Sequence, residues 1–69
     1  MPGGAITVYN STDDSRPYQV APGTTAAEFF QIVTGNPYSP NLDPPIYVNG
    51  TQVTGGTILL TDNHAIWGN

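Results

Sequence analysis

The sequence predicts a single small α+β domain over residues 1–69. Three observations predict this class: two strand-like segments joined by turn formers, one segment with helical spacing behind a capping signal, and further short strand-like segments after it. A chain of this length forms one domain and buries a modest core. It contains no cysteine, so the core holds by packing alone or with a partner's help.

The first strand-like segments predict a β-hairpin. Residues 5–9 alternate the apolar Ile6 and Val8 with other residues, which is the period-2 pattern of a half-buried strand. Residues 10–17 are rich in turn formers, and residues 18–21 resume the alternation. We expect a connecting loop of about seven residues, longer than the tightest hairpins need. The core face of the hairpin is predicted to carry Ile6, Val8, Tyr18 and Val20.

The next segment predicts a helix of about ten residues. Thr25 followed three positions later by Glu28 forms a capping box, which satisfies two of the free N–H groups at a helix start. Gly35 suits the left-handed conformation that ends many helices. The apolar residues Ala26, Phe29, Phe30 and Val33 recur at helical spacing.

Residues 36–45 are predicted to form an exposed connection, because four prolines in ten residues prevent any regular element. Asn49-Gly50 is the strongest hairpin signal in the chain, with strand candidates at 46–48 and 51–53. The remaining elements are a short strand or helical turn over residues 57–60 and a last strand over residues 64–67.

The charge of the chain is unusual, because it has one basic residue, Arg16, and a net charge of −4. Phosphates and anionic membranes both attract clustered Lys and Arg, so we expect neither nucleic acid nor a membrane as a partner. A weakly charged polar surface is less costly to bury against a neighbour, which favours permanent assembly with protein. The carboxylates are Asp13, Asp14, Glu28, Asp43 and Asp62.

The apolar runs are short, and the start of the chain has neither a basic region nor an apolar segment typical of a secretion signal. We therefore expect the protein in the cytoplasm, or packaged from there in a virion.

Three segments resemble one known family, in the correct order along nearly the whole chain. Residues 20–30, VAPGTTAAEFF, resemble the strand-to-helix segment of the ThiS/MoaD-like sulfur carriers. Residues 48–53, VNGTQV, resemble their central VNG hairpin, and residues 60–66, LTDNHAI, resemble the LxDGDxV stretch before their final strand. The resemblance implies a ubiquitin-like β-grasp fold.

The resemblance fails at the functional end of that family. The carriers finish in Gly-Gly, whose terminal carboxylate is adenylated and converted to a thiocarboxylate. This sequence has Trp67, Gly68 and Asn69 there, so Gly68 and Asn69 would serve as a carrier tail only after processing or with an unusual activating enzyme. Two alternatives thus stay open: a sulfur carrier or ubiquitin-like modifier, and a small enzyme-inhibiting protein that docks through a sheet edge.

Residues with catalytic potential are few and scattered. His64 is the only imidazole, and the absence of cysteine removes the common thiol nucleophiles. Asp13 and Asp14 are adjacent in a flexible turn near Arg16, without the spacing of a calcium loop. No nucleotide-binding glycine motif occurs. We expect no enzymatic activity, no metal and no cofactor.

The tyrosines are the best candidates for protein contacts, because tyrosine brings a large area and a polar tip to interfaces at little entropy cost. Tyr9 and Tyr47 are predicted to point away from the core, and Tyr38 lies in the proline-rich connection. The alternative is ordinary cross-strand packing on an exposed sheet. Phe29, Phe30 and Trp67 are predicted to be core.

The sequence therefore predicts a non-catalytic protein-binding or structural subunit of a larger assembly. A decoration or cement protein of a viral capsid fits the scarcity of charge, and Tyr9, Tyr38 and Tyr47 are its predicted contact residues.

Overall fold

The computed structural model describes residues 4–68, which form one α-helix and a five-stranded mixed sheet. The predicted α+β class is confirmed. The elements are β1 Ile6–Asn10, a 3₁₀ turn Ser11–Asp13, β2 Arg16–Val20, α1 Ala26–Thr34, β3 Ile46–Val48, β4 Thr51–Val53 and β5 His64–Ile66.

The strands lie in the order β2-β1-β5-β3-β4. β5 is parallel to β1 and antiparallel to β3, whereas both hairpins are antiparallel within themselves. The strand that comes last in the sequence therefore lies in the middle of the sheet, where it joins the two hairpins.

The first hairpin has the predicted core face but a shorter loop. Its register pairs Val8 with Tyr18, and β2 begins at Arg16 rather than Tyr18. Pro17 enters the strand because it lies opposite Tyr9, whose N–H points to the other side and donates to the Asn63 carbonyl at 2.8 Å. Proline is tolerated at such a position because no ladder bond needs its missing N–H.

The helix begins and ends where the sequence predicts. The Glu28 N–H donates to Thr25 Oγ1 at 3.2 Å, and the Thr25 N–H donates to Glu28 Oε1 at 2.9 Å, which completes the capping box. Gly35 ends the helix in the left-handed conformation at φ 79°, and its N–H donates to the Gln31 carbonyl.

The second hairpin turns at Asn49 and Gly50, both with positive φ, as a type I′ turn requires. Residues 57–60 form neither the strand nor the helical turn that the sequence predicts: Ile58 makes an isolated bridge to Thr25, and Leu59 is buried. β5 ends at Ile66, one residue earlier than predicted.

The core lies between α1 and one face of the sheet, and its aromatic residues pack edge to face. Phe29 contacts Tyr18 and Trp67, with ring centroids 5.5 and 6.0 Å apart. Phe30 lies 5.0 Å from Trp67. The core assignment of Phe29, Phe30 and Trp67 is therefore confirmed. The buried apolar residues are Val8, Val20, Ala26, Phe29, Phe30, Ile46, Leu59, Ala65 and Trp67.

A polar clasp joins the first turn to the residue after β5. The Thr12 hydroxyl donates to the Trp67 carbonyl at 3.0 Å and accepts from the Trp67 N–H at 2.9 Å. Asn10, which is 2% exposed, accepts the Thr12 N–H with its side chain. The clasp satisfies backbone groups that would otherwise be orphaned beside the core.

The proline-rich connection is held by its own hydrogen bonds. The Ser39 N–H donates to Asp43 Oδ2 at 2.7 Å, and the Asp43 N–H donates to the Ser39 carbonyl at 2.8 Å. Leu42 is 87% exposed, but Tyr38 packs against the core cluster. The connection is therefore exposed along most of its length and anchored at Tyr38.

Among residues 4–68 no helix is long and apolar enough to cross a membrane.

Candidate protein-binding face

The face of the sheet opposite α1 is the candidate site, and we call it the open face. Strand alternation and register place its side chains together, because partners in a sheet point to the same side. Its members are Thr7 and Tyr9 of β1, Pro17 and Gln19 of β2, Tyr47 of β3, Gln52 of β4, and His64 and Ile66 of β5.

A stacked aromatic pair occupies the centre of the open face. The Tyr9 and His64 rings are 4.6 Å apart at 12° between planes, and the two residues are register partners across the parallel β1–β5 pair. Ser11 Oγ lies 3.3 Å from His64 Nδ1. These contacts restrict the His64 ring, although the residue itself is exposed.

Tyr47 and Ile66 form the apolar part of the open face. They are register partners across β3 and β5, and Ile66 is 42% exposed. On the β4 side of Tyr47, its register partner is Gln52. This half of the face therefore has an apolar centre, formed by the exposed Ile66 and the half-buried Tyr47, and the amide side chain of Gln52 at its border.

The open face carries no carboxylate and neither Lys nor Arg, although the protein has a net charge of −4. Its amides and hydroxyls are partly paired with one another, as in the 2.7 Å bond that Gln19 Nε2 donates to Thr7 Oγ1. Arg16 lies in the hairpin region, with Nη1 at 3.8 Å from Asp13 Oδ2, where both side chains are well exposed. Burying the open face would therefore desolvate few charged groups.

The structure brings Tyr9 and Tyr47 onto one face and separates Tyr38 from them. The Tyr38 ring packs 5.0 Å from Phe30, and its hydroxyl donates to the Pro44 carbonyl at 2.8 Å. Tyr38 thus anchors the proline-rich connection to the core, on the helix side of the sheet.

Sequence reasoning missed the contributions of His64 and Ile66 to this face. In the structure the buried Ala65 lies between the exposed His64 and Ile66. The sequence shows no polar–apolar alternation there, because Ala65, Ile66 and Trp67 are all apolar, so no local signal identified the two residues.

The predicted carrier tail is described only in part. Trp67 is buried and held by the Thr12 clasp, and Gly68 is exposed with φ 98°. Asn69 lies outside the described residues.

The side chains that could act in catalysis or bind a metal do not lie together in the described structure. Within the described range 4–68, no group of three or more His, Asp, Glu or Cys side chains is placed to hold a metal ion. Asp13 and Asp14 lie beside Arg16 in the first hairpin, whereas Asp62 lies in the turn before β5 with φ 68°.

Comparison with known proteins gave no match among protein-family models, curated proteins or solved structures.

Proposed function

We propose that this protein is a non-catalytic protein-binding or structural subunit whose open face docks against another protein in a larger assembly. A capsid decoration or cement role is one form of such an assembly. The observation that carries the proposal is the open face itself: a neutral surface with aromatic and apolar side chains on a domain of net charge −4.

The composition of the open face supports this role. Interface centres are depleted in charged side chains and enriched in aromatic ones, and Tyr9, Tyr47 and Ile66 have that character. The stacking of Tyr9 on His64 holds both rings in place before any partner binds. Side chains that are already ordered lose less conformational freedom on binding, which favours affinity.

We further propose a ubiquitin-like β-grasp framework. The support is the order β2-β1-β5-β3-β4, with β1 parallel to β5 and the helix between β2 and β3. The motif resemblance in residues 20–30, 48–53 and 60–66 points to the same framework. A framework of this kind carries many functions, so the role is argued from the open face.

A photo-crosslinking experiment tests the docking proposal. A benzophenone amino acid would replace Tyr47 in one variant and Ile32, an exposed residue of α1, in a matched control. We expect irradiation in the native source to give one defined adduct from position 47 and much less of it from position 32. Equal labelling from both positions, or adducts from position 32 alone, would contradict docking through the open face.

The sulfur carrier or modifier remains the second candidate, because its motif order and the observed strand order agree. Its chemistry would lie at Gly68 or beyond, whereas docking would lie at Tyr47. The intact mass of the protein from its native source separates the two. Trimming to Gly68 or a sulfur-for-oxygen shift supports the carrier, and an unmodified Asn69 end argues against it.

A further inference from the structure

The two edges of the sheet differ in their capacity to accept another strand. β2 forms one edge, and its Pro17 lies opposite Tyr9, whose N–H points toward β5. In an antiparallel pair such opposed residues direct their backbone groups away from each other, so Pro17 faces the open edge. Proline has no N–H to donate, which protects this edge from strand addition.

β4 forms the other edge and lacks that protection. The Asn49 N–H donates to the His64 carbonyl of β5 at 2.9 Å. Backbone groups of alternate residues point to the same side of a strand, so the N–H and C=O of Tyr47 also point toward β5. Gln52 lies opposite Tyr47, so the pair is not hydrogen bonded. The N–H and C=O of Gln52 therefore point outward, where an added strand would meet them.

A cleft of about 590 Å³ runs beside this edge, and we call it the edge cleft. The proline-rich connection supplies one wall with Tyr38, Pro40 and Pro45. The end of β4 and the residues just after it supply the other wall, with Gln52, Val53, Thr54 and Gly55. Asp43 also lines the cleft. A cleft with apolar walls and a carboxylate, next to outward-pointing backbone groups, is an arrangement that suits an extended peptide.

The edge cleft is preformed. Tyr38 is fixed by its ring contact with Phe30 and by the bond to the Pro44 carbonyl. The chain at Gly55 passes so close to the helix that a Cβ there would lie 3.1 Å from Ala27 Cβ and 3.5 Å from Tyr38. Because these walls are already packed, a ligand need not order them.

The charge of the edge cleft selects the ligand. Asp43 accepts the Ser39 N–H through Oδ2, and its second oxygen retains capacity for a donor. The only basic side chain of the protein, Arg16, belongs to β2 at the far edge of the sheet. The cleft is thus anionic, and the Tyr38 ring adds a favourable surface for a cation.

We propose that the β4 edge and the edge cleft bind an extended basic peptide segment of a partner protein. Its backbone pairs with Gln52, an aliphatic side chain contacts Pro45 and Val53, and a Lys or Arg side chain reaches Asp43. This site shares Gln52 with the margin of the open face. Its carboxylate, Asp43, and its wall at Tyr38 lie outside that face, so variants at Asp43 test the edge cleft without altering Tyr9, Tyr47 or Ile66.

A titration followed by ¹⁵N–¹H correlation spectra tests the proposal on the full chain. The probe is the peptide Ac-Thr-Val-Arg-Val-Thr-NH₂ at low ionic strength, and the matched peptide carries Glu in place of Arg. We expect saturable shifts of the Val53, Gly55 and Tyr38 amides with the Arg peptide. The Glu peptide should bind at least about five-fold more weakly, because it faces Asp43 with a like charge.

Two variants test whether the carboxylate of Asp43 is the group that attracts the Arg peptide. Asp43→Asn keeps an oxygen that can accept the Ser39 N–H and should weaken the Arg peptide about five-fold, the value of one charge-assisted contact. Asp14→Asn removes an equal charge from the exposed first turn and should change affinity less than two-fold. Equal losses in both variants would reduce the effect to net charge and overturn the assignment to Asp43. Amide shifts centred on Tyr9 and Ile66, or no amide shifts at millimolar peptide, would overturn the proposed binding site.

Discussion

The two faces of the sheet come from alternate residues of the same strands but meet different requirements. The inner face carries Val8, Ile46 and Ala65, none more than 1% exposed, which pack against the helix side. Close packing restricts such residues by size and shape. The open face bears tyrosine, glutamine and isoleucine without formal charge, and its side chains meet in local pairs, such as the Tyr9–His64 stack and the hydrogen bond from Gln19 to Thr7. The difference teaches that close packing restricts the inner face more strongly than the open face, whose side chains stay partly accessible.

The largest expected effect comes from the inner face. Phe29→Ala removes a fully buried ring that contacts Tyr18 and Trp67. We expect a loss of about 3–5 kcal/mol in the free energy of unfolding, which is most of the stability of a small domain. Urea denaturation followed by Trp67 fluorescence measures it. Ile32→Ala, on the exposed side of the same helix, is the control. Similar losses in both variants would show that the helix is not packed as described.

An intermediate effect is expected at the Thr12 clasp, which joins the first turn to Trp67. Thr12→Val keeps the shape of the side chain but leaves the Trp67 N–H and carbonyl without their partner. We expect a loss of about 1 kcal/mol, because the Trp67 backbone groups are part-buried and lose a hydrogen-bond partner. The same denaturation assay applies, with Thr51→Val on the exposed β4 as control. A Thr12 variant as stable as the Thr51 variant would mean that water replaces the clasp.

The smallest effect is expected on the open face. The double change Tyr47→Ser and Ile66→Ser breaks one cross-strand pair and should cost only about 0.5–1 kcal/mol. Tyr47→Phe, which keeps the ring, is the control and should be close to neutral. Thermal unfolding followed by circular dichroism measures both. If the double variant lost as much stability as Phe29→Ala, the open face would be part of the core rather than a contact surface.

Local sequence signals predicted the elements of the fold well. The capping box at Thr25 and Glu28, the Asn49-Gly50 turn and the alternation around Val8 each act over a few residues. The partners of those elements were not predictable in the same way. The parallel pairing of β1 with β5 joins Tyr9 to His64, and no local pattern specifies which strand lies beside which.

Two local rules also gave incomplete expectations. The run of turn formers over residues 10–17 places Pro17 in the turn, yet its position on an edge lets β2 begin at Arg16. The four prolines around Tyr38 predict an exposed connection and give no indication that its ring contacts Phe30. Both differences arise from tertiary placement, which a short window of sequence does not contain.

The candidate site was predicted in part. Alternation alone indicates that Tyr9 and Tyr47 point away from the core, and the structure places them so. Their assembly with His64 and Ile66 depends on the register of β5 between β1 and β3. That register is a long-range property, so the open face as a continuous surface emerges only from the folded sheet.

The central position of β5 has a consequence for synthesis. Until residues 64–66 have left the ribosome, the nascent chain contains the segments of both hairpins and of the helix but not the strand that connects them. The Thr12 clasp needs Trp67, 55 positions later in the sequence. Such long-range contacts form only after the loop between them closes, so we expect the emerging chain to remain unfolded and then fold in a single late step.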